Sequence, residues 1–294
     1  MSLMKELYHQ VAPQAPERKS AKKAATTRDK SSESSAQTSP KSIVVGILGA
    51  KGGVGATVFA TNLAAACAES KPILIDCNLQ QPDVALSLGL NPRYNLCDLI
   101  ERRSRLDEKV LSACCEEIKT NTLPVKVITP PLSLEASLST NLSALADCLK
   151  KVKEHSNLII LDLPKQLDQN LLALLDRCDR IILVTEPTIS SVSGAKRWLS
   201  IFNDLEYDKS AVSLLINRTG KKQKQMEEEA RKALEFSDGW SLPSSYQALE
   251  QACLEGSPLV VSHPKDPFAR DVYKISNALL RDWKLKNSNS QGRS

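Results

Sequence analysis

The chain has 294 residues, 41% hydrophobic and 25% charged, and no apolar run approaches the roughly eighteen residues of a membrane-spanning helix, so one large or two small soluble domains are expected. The formal charge of +5 sits in the tails: residues 1–42 carry eight Lys/Arg against four Asp/Glu, residues 281–294 carry four against one, and the body between is slightly acidic. That argues against a nucleic-acid-binding body, while the basic tails remain able to touch an acidic partner, anionic lipid or DNA. The first stretch of the tail, "SLMKELYHQV", spaces Leu3, Met4, Leu7, Tyr8 and Val11 for a short amphipathic helix, read either as a frayed terminus or as a partner-docking peptide. Residues 10–42, rich in Ser, Ala, Lys, Pro and Gln, lack the apolar side chains that offset ordering, so residues 1–42 read as a disordered basic tail.

From residue 43 the pattern changes. Short apolar runs at 42–48, 71–77, 124–129, 157–163, 180–186 and 211–217 are strand-length and rich in Val, Ile and Leu. Consecutive apolar residues suit strands buried on both faces of a parallel sheet. Helical candidates lie between and after them at 57–70, 94–103, 107–118, 140–155, 168–178, 189–204, 223–235, 244–255 and 267–285. Alternation this regular predicts an α/β fold, a doubly wound and mostly parallel sheet in one domain of residues 43–285, followed by a disordered tail at 286–294. The eight cysteines carry no CxxC pair and read as reduced core residues; the three histidines stand too far apart for a metal site or histidine catalysis. With no signal peptide at the start, the expected location is the cytoplasm.

The stretch "GAKGGVGATVF", residues 49–59, follows the first buried run and opens the first helix, the context a phosphate-binding loop requires. Gly52, Gly53 and Gly55 permit a tight turn that aims N–H groups at phosphate oxygens, and the helix adds the positive end of its dipole. The usual pattern GxxxxGK[ST] puts a lysine just before the hydroxyl residue. Here Ala56 takes that place, Thr57 keeps the hydroxyl for Mg²⁺, and the lysine of the loop is Lys51, ahead of the double glycine.

A lysine before two glycines resembles the signature of the ParA/MinD family of deviant Walker A ATPases. Three further stretches extend the resemblance: "ILIDCNLQQPDVALSLGL" is similar to the family's second strand and first switch, "LIILDLP" to its Walker B strand and second switch, and "SLLINR" to the segment whose Asn contacts adenine. Within the family the likeness is greatest to the CpaE/TadZ branch of the tight-adherence type IV pilus system, which often carries a small residue in place of the main loop lysine. "IDCNLQQPDVALSL", with Asp76, Gln80 and Asp83 in place, and "LPSSYQALEQACLEGSPLVV" follow that branch's patterns. The resemblance implies a P-loop NTPase fold and a homodimer that binds ATP and Mg²⁺ and acts as a localisation or assembly factor beside pilus or secretion machinery proteins. It implies nucleotide contacts at Gly52, Gly53, Val54, Gly55, Ala56, Thr57 and Asn217. Thr57 and Asp76 would serve the metal, and Lys51, Asp76 and Asp162 the chemistry, with Lys51 reaching the nucleotide of the facing subunit.

Residue chemistry limits the turnover expected of such a site. Without a lysine at position 56 the transition state loses a preorganised positive charge, typically a factor of roughly 10² to 10³ in rate. Asn78 stands where relatives carry a second Asp, and an amide cannot accept a proton from the attacking water. A weak ATPase at most is therefore expected. Bland alternatives stay open: Asp162 as a helix cap, Asn217 as a turn former, and Glu186 and Pro187 with no chemistry at all. The final helix, with Phe268, Val272, Ile275, Leu279 and Leu280 on one side, reads as packed on the sheet in preference to lying on the inner face of a membrane. The competing functions are a pseudo-ATPase adaptor and a partitioning ATPase acting on membrane or DNA.

Overall fold

The computed structural model describes residues 42–220, 223–236 and 239–291. The N-terminal tail and its helix candidate lie, up to residue 41, outside the described residues. The first apolar run forms β1, Ile43–Gly49, buried at every position. It is followed by α1 (Ala56–Ala66), β2 (Ile73–Asp76), α2 (Val84–Ser87), α3 (Leu96–Glu101), α4 (Glu108–Ala113), β3 (Glu116–Ile118) and β4 (Val125–Ile128). Next come α5 (Leu134–Ser139), α6 (Leu145–Val152), β5 (Leu158–Asp162), α7 (Gln169–Leu175), β6 (Arg180–Thr185) and α8 (Ile189–Asp204). The chain continues through β7 (Val212–Thr219), α9 (Lys224–Ala233), β8 (Trp240–Pro243), α10 (Tyr246–Leu254), α11 (Leu259–Ser262) and α12 (Pro267–Gln291).

The eight strands form one sheet in the order β3-β4-β2-β5-β1-β6-β7-β8. All neighbours are parallel except β3 and β4. Strand β1 shows why its run is apolar at consecutive positions: Val44 and Leu48 enter one core, with Leu99, Leu149, Leu174 and Trp198, while Val45 and Ile47 enter the other, with Phe59, Leu63, Phe268 and Val272. A sheet covered on both faces leaves its C-terminal edge as the place for loops with chemistry.

The two edges of the sheet differ from expectation. The helix expected over 107–118 starts with Asp107 capping Val110 N at 2.8 Å, stops at Ala113, and gives way to β3. Only Ile118 of that strand is buried, so its apolar signal is one residue long, and Glu116 and Glu117 keep the antiparallel edge charged. Strand β8, "WSLP", was not expected either; its pairing with β7, not its own composition, makes it a strand. The last helix runs on past 285 to Gln291. Its Phe268, Val272, Ile275 and Leu279 are buried against the core that includes α1, and Leu280 and Trp283 pack beside them, so this apolar stripe is used inside the fold. Among the described residues no helix is long and apolar enough to cross a membrane. The cysteines are unpaired, and most are buried or half-buried, but Cys253 on α10 is exposed.

Candidate functional site

Strand β1 ends in the middle of the C-terminal edge and hands the chain to the glycine loop. Gly53 and Gly55 sit at φ 77° and 87°, in the left-handed region that a side chain would strain. A Cβ added at Gly52 or Gly53 would meet nothing among the described residues within 4 Å, so this part of the loop faces open space. At Gly55 the added Cβ would fall 2.5 Å from Asn217 Nδ2. Gly55 opens α1 without a side-chain cap among the described residues and without an acidic residue in the first turn, which leaves the helix's first N–H groups available to an anion. The loop is tied down behind: Ala50 N donates to Val184 O of β6 at 2.8 Å, and Gly194 of α8 lies so close to the Ala50 carbonyl that no side chain fits between them.

On one side of the loop stand two carboxylates. Parallel pairing places Asp76 of β2 opposite Asp162 of β5, both almost fully buried. Burial is the main reason each carboxyl lies above its ordinary range. Asp76 is raised well above, with Asp162 adding repulsion, and Asp162 is raised to about 7 despite a hydrogen bond from Thr57 and the attraction of Lys165. Asp76 also organises the chain that follows it, since Oδ1 accepts from Asn78 N at 2.9 Å and Oδ2 from Val84 N at 3.2 Å. Asn78 is part of the same turn, its Oδ1 accepting from Gln81 N at 3.3 Å. Beyond these residues opens a cleft of ≈ 500 Å³ lined by Cys77, Asn78, Pro164 and Lys165 among others. Two crowded, buried carboxylates beside a threonine hydroxyl form a set of hard oxygen donors suited to Mg²⁺.

On the other side lie the cations. Lys51 Nζ is 2.9 Å from Glu186 Oε1, and Arg218 Nη1 is 3.1 Å from Glu186 Oε2. Burial alone would push the Glu186 carboxyl up, but hydrogen bonds and charge from Lys51 and Arg218 bring it below its ordinary range. Asn217, expected beside adenine, is buried and donates from Nδ2 to Val54 O at 2.8 Å while its Oδ1 accepts from Arg218 N at 2.8 Å. Its amide therefore braces the loop and keeps one N–H for a ligand. Next to it a mostly apolar slot of ≈ 320 Å³ is lined by Gly55, Val58, Pro243, Tyr246 and Leu249.

The structure thus brings Gly52, Gly53, Val54, Gly55, Ala56, Thr57 and Asn217 into one loop and its brace, with Asp76 and Asp162 on one flank and Lys51 on the other. It adds Glu186 and Arg218, to which sequence reasoning gave no chemistry. The available signal was a glutamate ending an otherwise apolar strand, since a buried carboxylate needs a cationic partner.

Comparison with known proteins agrees with this fold. Residues 42–214 match the AAA domain family. An uncharacterized ATP-binding protein of Methanocaldococcus jannaschii is 24% identical over 241 residues, covering 81% of this chain and 88% of that protein. The septum site-determining protein MinD of Synechocystis is 26% identical over 179 residues, 60% of this chain and 64% of MinD's own length. Among solved structures, a ParA family ATPase from Chlorobium tepidum superposes with a TM-score of 0.74 at 21% identity, covering 81% of this chain and 99% of that one. MinD of Pyrococcus horikoshii, complexed with Mg-ADP, gives a TM-score of 0.67 at 20% identity, with coverage of 81% and 96%. At such identities the superpositions establish the shared fold.

Proposed function

We propose, on the premise that this chain belongs to the AAA domain family as a ParA/MinD-type P-loop ATPase, that it binds ATP with Mg²⁺, pairs face to face with a second copy, and serves as a localisation or assembly factor for a tight-adherence type IV pilus or a secretion machine. One observation carries the nucleotide reading: the loop turns its Gly52–Gly53 stretch toward open space directly ahead of a helix that no side chain caps among the described residues, as a phosphate cradle requires. The backbone of Gly52, Gly53, Val54, Gly55 and Ala56 would hold the phosphates, and the slot beside Asn217 would take the base. Thr57, Asp76 and Asp162 would hold Mg²⁺, which neutralises phosphate charge when bound. A MinD of the same fold, complexed with Mg-ADP, supports a nucleotide held with Mg²⁺.

Hydrolysis is slow in this reading. Ala56 offers no charge to the transferring phosphate, and Asn78 is neither a base nor free of its turn. Lys51, carried by the loop, would reach the facing copy's nucleotide and restore part of the missing charge, which makes turnover depend on the dimer. The pilus assignment is supported by the CpaE/TadZ-like stretches around Asp76 and after Leu242.

Calorimetry with Mg-ATP tests the binding step on the full chain and on Lys51→Ala. Heat is expected from the wild type and lost when EDTA removes Mg²⁺; no heat from either protein sinks the reading. The machine assignment is checked by gene neighbourhood, since a locus without pilus ATPase or secretin genes argues against it.

A further inference from the structure

Glu186 is the residue of this site that the nucleotide reading leaves unexplained. A carboxylate next to a phosphate cradle repels the ligand unless it is neutralised, and here it is neutralised twice. Its side chain is 9% exposed, whereas Lys51 and Arg218 are 36% and 49% exposed, so two solvent-facing cations come to one buried anion. The anion is fixed by its own turn: Glu186 N donates to Ser191 Oγ at 3.0 Å, Thr188 N donates to Glu186 O at 2.7 Å, and Thr188 Oγ1 donates to Oε1 at 3.4 Å. Ser191 is itself buried and shares a 2.8 Å hydrogen bond with Thr185. Arg218 is held at φ 57°, a left-handed backbone that a residue with a side chain adopts at a cost.

We propose that Glu186 is a positioning residue for Lys51, a latch that keeps the loop lysine on its own subunit's β6–α8 corner until the polyphosphate of a facing copy draws it away. This rests on the reading above that Lys51 acts across a dimer. In this proposal the lysine must leave the Glu186 carboxylate to reach across to the facing copy, so the ion pair and the contact in trans compete for one ammonium. The second cation explains how the latch opens without leaving a buried charge alone: when Lys51 departs, Arg218 stays on Oε2 and keeps Glu186 paired. A half-exposed lysine pair is a weak restraint, and a triphosphate with several negative charges outcompetes it. Glu186 thereby sets the nucleotide concentration at which two copies join.

The test measures dimer formation by sedimentation of the full chain, with Mg²⁺ and a non-hydrolysable ATP analogue titrated in. Glu186→Gln keeps the shape and removes the charge; half-maximal dimerisation is expected at roughly threefold to tenfold lower analogue concentration than in the wild type. The shift must vanish in a Lys51→Ala background, because the latch acts only through that lysine. Glu186→Asp keeps the charge but shortens the reach, so it should show a smaller shift in the same direction, and it carries the test if the Gln variant does not fold. A Gln variant that binds the analogue in calorimetry but dimerises at the same or a higher concentration overturns the latch. So does a shift that survives Lys51→Ala. A wild type that binds the analogue and stays monomeric removes the dimer reading itself, and the latch with it.

Discussion

Two groups of charge stand at the C-terminal edge of the same sheet; burial pushes the carboxylates of both up, and their partners make the outcomes opposite. Beyond β6 and β7, Glu186 is held below its ordinary range because Lys51 and Arg218 lie within 3.1 Å. Beyond β2 and β5, Asp76 and Asp162 are pushed up, since each is buried, Asp162 adds repulsion to Asp76, and the exposed Lys165 offsets only part of the effect on Asp162. The first group pairs its carboxylate within the chain, which fits a contact that constrains the molecule. The second leaves negative charge to be balanced from outside, which fits a position for a cation brought in with a ligand.

The largest effect should come from putting a new cation between the two groups. Ala56→Lys places an ammonium where the transferring phosphate develops charge, and ATP turnover is expected to rise by ~10² or more in a coupled phosphate-release assay. An unchanged rate would locate the limit at Asn78 or at dimerisation.

Second in size is the pH response of the carboxylate pair. Asp162 titrates near 3.8 unfolded and at about 7 folded, so between those values the native state binds more protons and stability falls as pH rises. In buffer free of divalent cations, Asp162→Asn should therefore be more stable than the wild type at pH 8, on the order of 1 to 3 kcal/mol, with the gap closing toward pH 4. Thermal melts across that window decide it, and added Mg²⁺ should recover the wild type at pH 8 while leaving the variant unchanged. Equal melts at both ends of the window would show that the pair is already balanced within the chain.

Smaller again is the loop that separates the groups. Gly55→Ala should cost roughly 1 to 2 kcal/mol in urea unfolding, because φ 87° is left-handed and the new methyl would crowd the Asn217 amide at 2.5 Å. Weakened Mg-ATP binding should accompany it. A neutral Gly55→Ala would mean that the brace from Asn217 to Val54 does not shape the loop.

The contrast also separates what was legible in the residues from what was not. The central strands announced themselves as apolar runs, and β1, β2 and β4 to β7 lie where those runs are. Strands β3 and β8 did not, because an edge strand with a single buried residue has no periodicity to read and exists through its neighbour's hydrogen bonds. The carboxylates at strand ends and the glycine loop were visible because local spacing specifies them. The partners of Lys51 and Val54 were invisible because they arrive from far along the chain: Glu186 from the end of β6, and Asn217 from 163 residues away. Spacing can say that a lysine stands at a loop's rim; only the register of β6 against β1 says which carboxylate it meets.

The smallest effect is the control for the whole comparison. Lys274 and Asp271 on α12 make a shorter ion pair than Lys51 and Glu186, 2.6 Å against 2.9 Å. If distance ranked ion pairs, Lys274→Ala would be the costly change. But Lys274 is 76% exposed and Asp271 33%, so water solvates the separated charges nearly as well as they solvate each other. Lys274→Ala should shift the unfolding free energy by less than about 0.5 kcal/mol and lose even that at high salt. A loss above about 1 kcal/mol would mean that pairing alone carries the energy. Pairing would then hold charges as firmly at the surface as beside the buried Glu186, and the distinction drawn between the two groups would fail.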